Sequence, residues 1–167
     1  MAADDFDDFV RASSPALLRS AYLLTGDAHL AEDLVQAALV KASLAWRRLD
    51  HEGNAHAYVR KVMFHQHISW WRRRRVTEVS SSINPTERAS PDAFAAVDLR
   101  LSMRAALLAL PPRQRAVVVC RYFDDLSEVE TAGVLGMAVG TVKSTASRAL
   151  SALRSALPEH ERTGGST

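Results

Sequence analysis

Apolar residues recur at intervals of three and four in segment after segment of this 167-residue chain, the period of helices with one buried face. Phe6, Phe9 and Val10 mark a short first helix over residues 4–11, with Asp4, Asp5, Asp7 and Asp8 at the positive end of its dipole. Ser14-Pro15 reads as an N-cap and a first-turn proline opening a second helix over 16–24, which Gly26 closes. Asp27 caps a third helix from 28 to about 48. A break is expected over 49–53, and Asn54 caps a fourth helix from 55 to about 75. Residues 76–89 have no sustained period and several turn formers, which predicts a flexible linker. Ser90-Pro91 opens a helix to Leu110, Pro111-Pro112 stops it and starts another that ends near Phe123, and two more follow. The expected fold class is all-α, with two small helical domains joined by a flexible linker. The expected boundaries are 1–76, a linker at 77–97, 98–157, and a disordered tail at 158–167.

Charge sharpens this division. The net charge of +2 is unremarkable, but residues 1–57 carry 5 basic against 9 acidic groups, whereas 58–75 carry 6 basic and no acidic ones. Residues 99–157 add a further excess of +4. Positive charge confined to two helical segments is the footprint of a polyanionic partner. The apolar runs are too short to span a bilayer, so no membrane insertion is expected. The acidic N-terminus lacks the basic-then-apolar order of a secretory signal. A single cysteine, Cys120, leaves no intramolecular disulfide framework, and it falls in an apolar run where a small buried hydrophobe is expected. The chain reads as soluble and cytoplasmic.

The best-defined motif lies over 126–154. Ser127 and Glu130 have the spacing of a capping box, Ala132 is small where two helices must cross, and Gly136 suits a left-handed turn. The helix that follows carries Val142, Ala146, Ala149, Leu150 and Leu153 on one stripe. Its opposite face bears Thr141, Lys143, Ser144, Ser147 and Arg148, donors and cations at the end that enters a major groove in a helix-turn-helix. Lys143 and Arg148 have the chemistry for guanine edges or for phosphates; the residues alone leave both open.

The helix over 55–75 is basic and aromatic. Ala55, Tyr58, Val59, Val62, Met63, Gln66 and Trp70 project to one side as core. Arg60, Lys61, Phe64, Ile68, Trp71, Arg72 and Arg75 project to the other. Cations mixed with aromatic groups suit phosphates and unstacked bases. The alternative is that Phe64, Ile68 and Trp71 bury against neighbouring helices and leave the arginines solvated.

Taken together, residues 4–157 resemble the extracytoplasmic-function (ECF) sigma factors of RNA polymerase, and of an actinobacterial-like subgroup. Ala31-Glu32-Asp33-Leu34-Val35-Gln36 looks like the family's polymerase-binding helix, and Trp70-Trp71-Arg72-Arg73-Arg74-Arg75 resembles the end of its region 2. Leu110-Pro111-Pro112-Arg113-Gln114-Arg115 and Val139-Gly140-Thr141-Val142-Lys143-Ser144 are similar to parts of its region 4. The resemblance implies that region 2 binds core RNA polymerase through Asp33, Gln36, Leu39 and Val40. It implies −10 contacts from Asn54, in the loop that captures a flipped base, and from Arg60, Lys61, Phe64, His65, Ile68, Trp71, Arg72 and Arg75. It implies −35 contacts from Thr141, Lys143, Ser144, Ser147 and Arg148. Partners would be core polymerase, promoter DNA and an anti-sigma factor where one exists. Two positions depart from the family's pattern: Ala37 stands where an acidic residue often follows, and His65 where asparagine is common.

No phosphate loop, catalytic triad or metal cluster is legible, so neither enzymatic activity nor a cofactor is expected. His65 and His67, two apart on a helix, point in nearly opposite directions and cannot share a metal. The competing reading is a stand-alone regulator with a LuxR-like helix-turn-helix, for which the arginine-rich helix in the supposed sensing domain has no use.

Overall fold

The computed structural model describes residues 2–52, 54–78 and 95–157. Seven α-helices and one π-helical turn make up its regular structure, and there is no strand among the described residues. The three N-terminal helices are α1 (Ala2–Thr25), α2 (Ala28–Glu52) and α3 (Ala55–Glu78). They are followed by α4 (Ala95–Ala109), α5 (Pro112–Val118), the π turn (Val119–Phe123), α6 (Glu128–Leu135) and α7 (Val139–Ala156). The expected Ser90-Pro91 helix start, the body of the linker and the tail lie outside the described residues.

The two short helices expected before Gly26 are one. Pro15 sits inside α1, and Ser14, instead of capping a new helix, donates its hydroxyl to the Val10 carbonyl at 2.5 Å. A proline in mid-helix removes one N–H from the ladder. The continuous stripe Phe6, Phe9, Val10, Leu17, Ala21 and Leu24, packed along α2 and α3, outweighs that loss. Phe6 and Phe9 both pack on Trp46, each with ring centroids 5.1 Å from it.

Other boundaries follow the local chemistry. Gly26 turns with φ +69°, and the Asp27 carboxylate accepts the Leu30 N–H at 3.0 Å, capping α2 and holding its own pKa below the ordinary carboxylate value. Helix α2 runs through the expected break as far as Glu52, because Leu49 is buried and anchors its last turns. Pro112 starts α5 at its first position, where a missing N–H costs nothing.

The two groups of helices do not hang apart. Val59, Met63 and Phe64 of α3 share one buried cluster with Ala116, Val117, Val119, Cys120, Leu126, Ala132 and Leu135 of the C-terminal half. A second cluster joins α4, α5 and α7 through Leu107, Leu110, Val118, Ala149 and Leu153. The described helices of the two halves thus meet along a buried seam. Even so, Arg72, Arg73, Arg74 and Arg75 project from the far end of α3 and remain exposed.

Candidate nucleic-acid interface

The C-terminal motif is assembled as its residues require. Ser127 Oγ accepts the Glu130 N–H at 3.0 Å while Glu130 Oε2 accepts the Ser127 N–H at 2.7 Å, so two orphan donors of α6 are satisfied reciprocally. The Ser127 N–H on its carboxylate, helped by the Ser127 hydroxyl, holds the Glu130 carboxyl below its usual pKa. Gly136 ends α6 in the left-handed region, φ 65° and ψ 37°, and α7 begins three residues later. Val142, Ala146, Ala149 and Leu153 are buried, joined by Thr145, and Leu150 is half-buried. Thr141, Lys143, Ser144, Ser147 and Arg148 are all exposed on the opposite face. Lys143 Nζ lies 3.6 Å from Glu128 Oε2, and Ser144 Oγ donates to the Thr141 carbonyl at 3.1 Å. Both contacts are at the surface and exchange readily with water or a phosphate.

Helix α3 is divided differently from its projection. Val59 and Met63 are core as expected, but Phe64 is 0% exposed and His67 is buried as well. Phe64 is therefore not a surface group in this structure: α5 and α6 pack against α3, and it belongs to the core the two halves share. Arg60 also faces the seam, with Nε 3.7 Å from Asp124 Oδ2. Lys61 and His65 are exposed, although the His65 ring lies at the seam's edge, 3.7 Å from where a Cβ on Gly136 would stand. Ile68 and Trp71 are half-buried, Arg72 and Arg75 exposed, and the Arg75 guanidinium sits 5.3 Å above the Trp71 ring. Asn54 is exposed just before the first turn of α3, and its carbonyl accepts the Tyr58 N–H at 2.9 Å. The basic-aromatic surface that remains open thus runs from Lys61 to Arg75.

A third surface lies on α1 and α2. Asp33 and Gln36 are exposed beside a shallow groove lined in part by Phe6, Val10, Leu18 and Ser43. Val40 is 57% exposed and Leu44 86%, an apolar edge unusual for a surface helix, whereas Leu39 is buried beneath it and reaches only the groove floor. Tyr122, Phe123 and Val129 form further exposed apolar ground in the C-terminal half.

Polar side chains also pin the seam, and the sequence reading did not single them out. Arg115 is buried, and its guanidinium donates to the carbonyls of Leu107, Leu108 and Leu110 within its own half and to Leu24 of α1 at 2.5 Å. Burial lowers its pKa to about 10, and together with the arginine's charge it holds His67 down to about 4. Ser20 Oγ donates to Asp124 Oδ1 at 2.5 Å. Burial raises the Asp124 pKa despite that bond and the Arg60 charge. Arg104 stacks 4.7 Å above the Tyr22 ring and donates to the Gly26 carbonyl. A charged residue such as Arg115 directly before the run Ala116-Val117-Val118-Val119 was the available signal: an arginine buried there needs acceptors. Among the described residues no group of three or more His, Cys, Asp or Glu is gathered as a metal site, and no helix is long and apolar enough to cross a membrane.

Comparison with known proteins assigns these surfaces a common context. Residues 9–77 match the family model of sigma-70 region 2, and residues 100–153 that of sigma-70 region 4. The chain is 41% identical over 153 residues to the RNA polymerase sigma-E factor of Streptomyces coelicolor, covering 92% of this chain and 86% of that one. It is 31% identical over 156 residues to the ECF RNA polymerase sigma factor EcfG of Rhodopseudomonas palustris, covering 92% and 86%. Among solved structures, the sigma factor RpoE of Bartonella quintana, crystallised with the anti-sigma factor NepR, superposes with a TM-score of 0.71 at 28% identity over 91% of this chain and 96% of that one. These likenesses run through both halves of the chain, which favours a sigma factor over a stand-alone regulator. The chain belongs to the ECF sigma factors of the sigma-70 family.

Proposed function

We propose that the protein initiates transcription by a bipartite contact, with α7 anchoring the −35 duplex and the open part of α3 receiving unpaired −10 bases, while α2 holds core polymerase. The observation that carries this reading is the division of α7: all five candidate base and phosphate contacts are exposed, and the stripe behind them is buried. Lys61, Trp71, Arg72 and Arg75 on α3 add cations and a stacking surface for bases that have left the duplex. Extrusion of those bases costs a few kcal/mol, offset by such contacts. Asp33, Gln36 and Val40 supply a polar and apolar docking edge for the polymerase clamp, with Leu39 supporting it from below. The protein makes and breaks no covalent bond; it acts as an initiation factor in the cytoplasm, where polymerase and promoter meet. The exposed Leu44, Tyr122 and Phe123 offer ground that an anti-sigma protein would cover.

Two measurements test the reading. A gel shift on promoter fragments should show tight, discrete complexes only when core enzyme is added; tight operator binding by the protein alone would contradict it. Asp33→Ala should reduce co-purification with core enzyme while leaving thermal stability unchanged, and undiminished co-purification would remove Asp33 from the interface.

A further inference from the structure

We propose that Glu128 sets what Lys143 reads: its carboxylate holds the lysine back from DNA phosphates and leaves it for an uncharged base edge. This rests on the reading of α7 as the −35 face, and adds a positioning residue that lies outside that face. Glu128 opens α6, and Lys143 stands near the start of α7. Lys143 Nζ is 3.6 Å from Glu128 Oε2, with the two side chains 62% and 37% exposed, so the pair stands at the edge of the surface offered to DNA. The backbone around it is fixed. The capping box ties down the first turn of α6, the left-handed Gly136 sets the turn, and Val134, Leu135, Val142 and Ala146 lie in one buried cluster behind it. Glu130, the other acid of that first turn, has its carboxylate on the Ser127 N–H. Glu128 is the acid left to face the lysine. Among the described residues an ion pair engages Lys143, and none engages Arg148 on the same side of α7.

In a helix-turn-helix the first helix crosses the sugar–phosphate backbone while the second enters the major groove. The positive end of that first helix favours an anion, and with a neutral residue there it would take a phosphate. Glu128 fills the place with an anion of the protein's own. Lys143 carries a compact charge with three donors on a flexible stem. To reach a phosphate it must either bring a second anion beside the carboxylate or leave Glu128 uncompensated, so the contact gains little. A guanine O6 or N7 is an acceptor without net charge. One donor can stay on Glu128 while another meets the base, and no like charges are brought together. The pair therefore weakens the contact available at every sequence and keeps the one available at a particular base. In the free protein such an exposed pair is weak. Its influence grows where DNA displaces water and the charges are less screened.

The test uses holoenzyme formed from the full chain and core polymerase. Its probes are a promoter duplex whose −35 element the wild-type enzyme has selected from a randomised pool, and the same duplex with that element scrambled. Glu128→Gln keeps the size of the side chain and removes its charge. It should tighten binding to the scrambled duplex by roughly fivefold, the upper scale of one exposed ion pair, and leave the selected duplex nearly unchanged. The ratio of the two affinities falls accordingly. The slope of log affinity against log salt for the scrambled duplex should steepen by about 0.9, one added phosphate contact. With Lys143→Ala already in place, the same substitution should leave that slope as it is. An unchanged circular dichroism spectrum and melting midpoint show that the fold is intact; if Glu128→Gln does not fold, Glu128→Ala carries the test. A ratio and slope unmoved by Glu128→Gln would overturn the proposal. So would an equal gain with and without Lys143, which would make Glu128 a diffuse repulsive charge. If Lys143→Ala and Arg148→Ala both leave the selected duplex bound as before, the reading of α7 fails and takes the proposal with it. Weakening by Arg148→Ala beside an inert Glu128→Gln removes the proposal alone.

Discussion

Helices α3 and α7 are both basic and both candidates for DNA, yet only α7 is arranged as its periodicity predicts. Helix α7 packs chiefly against α4, α5 and α6 of its own half, so one stripe is buried and the opposite face is exposed. Helix α3 is clasped between α1 and α2 on one side and α5 and α6 on the other. Its apolar residues therefore belong to two interfaces, and a helical projection, which assumes one dry side and one wet side, places Val59 and Met63 correctly but not Phe64. The comparison separates a surface ready to bind from one that is half occupied by its own chain.

The largest effect should come from the residue on which the two helices differ most. Phe64→Ala leaves a cavity in the shared core and should cost about 3–5 kcal/mol, read as a lowered denaturant midpoint. A surface Phe64 would give a change near zero. The second test is pH. His67 is buried with its pKa down near 4 from an ordinary 6.5, so the folded state takes up its proton less readily than the unfolded chain. Its contribution is complete above pH 6.5 and is lost as pH falls toward 4, about 3 kcal/mol in all. Asp124, with a raised pKa, works the other way and favours the folded state when protonated, so the clean measurement is the difference between wild type and His67→Leu. That variant should lose the decline between pH 6.5 and 4; an unchanged slope would place the proton uptake elsewhere.

Smaller effects should appear on α7. Lys143→Ala and Arg148→Ala should each weaken promoter binding by the polymerase complex by about 1–3 kcal/mol if the side chain reads a base, with stability unchanged. Weakening that is uniform across promoter sequences would assign the residue to a phosphate instead. The smallest change should be Ser127→Ala, which removes one arm of the capping box and should cost about 1 kcal/mol in thermal or denaturant unfolding.

These contrasts also mark what was legible in the amino-acid sequence. Wherever a short-range rule had no competitor it held: the Ser127–Glu130 box, the turn at Gly136, the Asp27 cap and the stripe on α7 all stand where spacing puts them. Ser14-Pro15 misled because a tertiary stripe along α1 overrode a local breaking signal. Phe64 misled because periodicity cannot count how many neighbours a helix will have. The π turn and the Ser20–Asp124–Arg60 contact join residues up to 104 positions apart, and no local pattern encodes them.

The central claim is that the two basic helices serve one promoter in the company of core polymerase. Mapping transcript 5′ ends, with purified core enzyme and a genomic fragment library, measures it most directly. Adding the protein should produce discrete start sites that share upstream elements near −35 and −10. Transcripts no different from those of core enzyme alone would contradict the account.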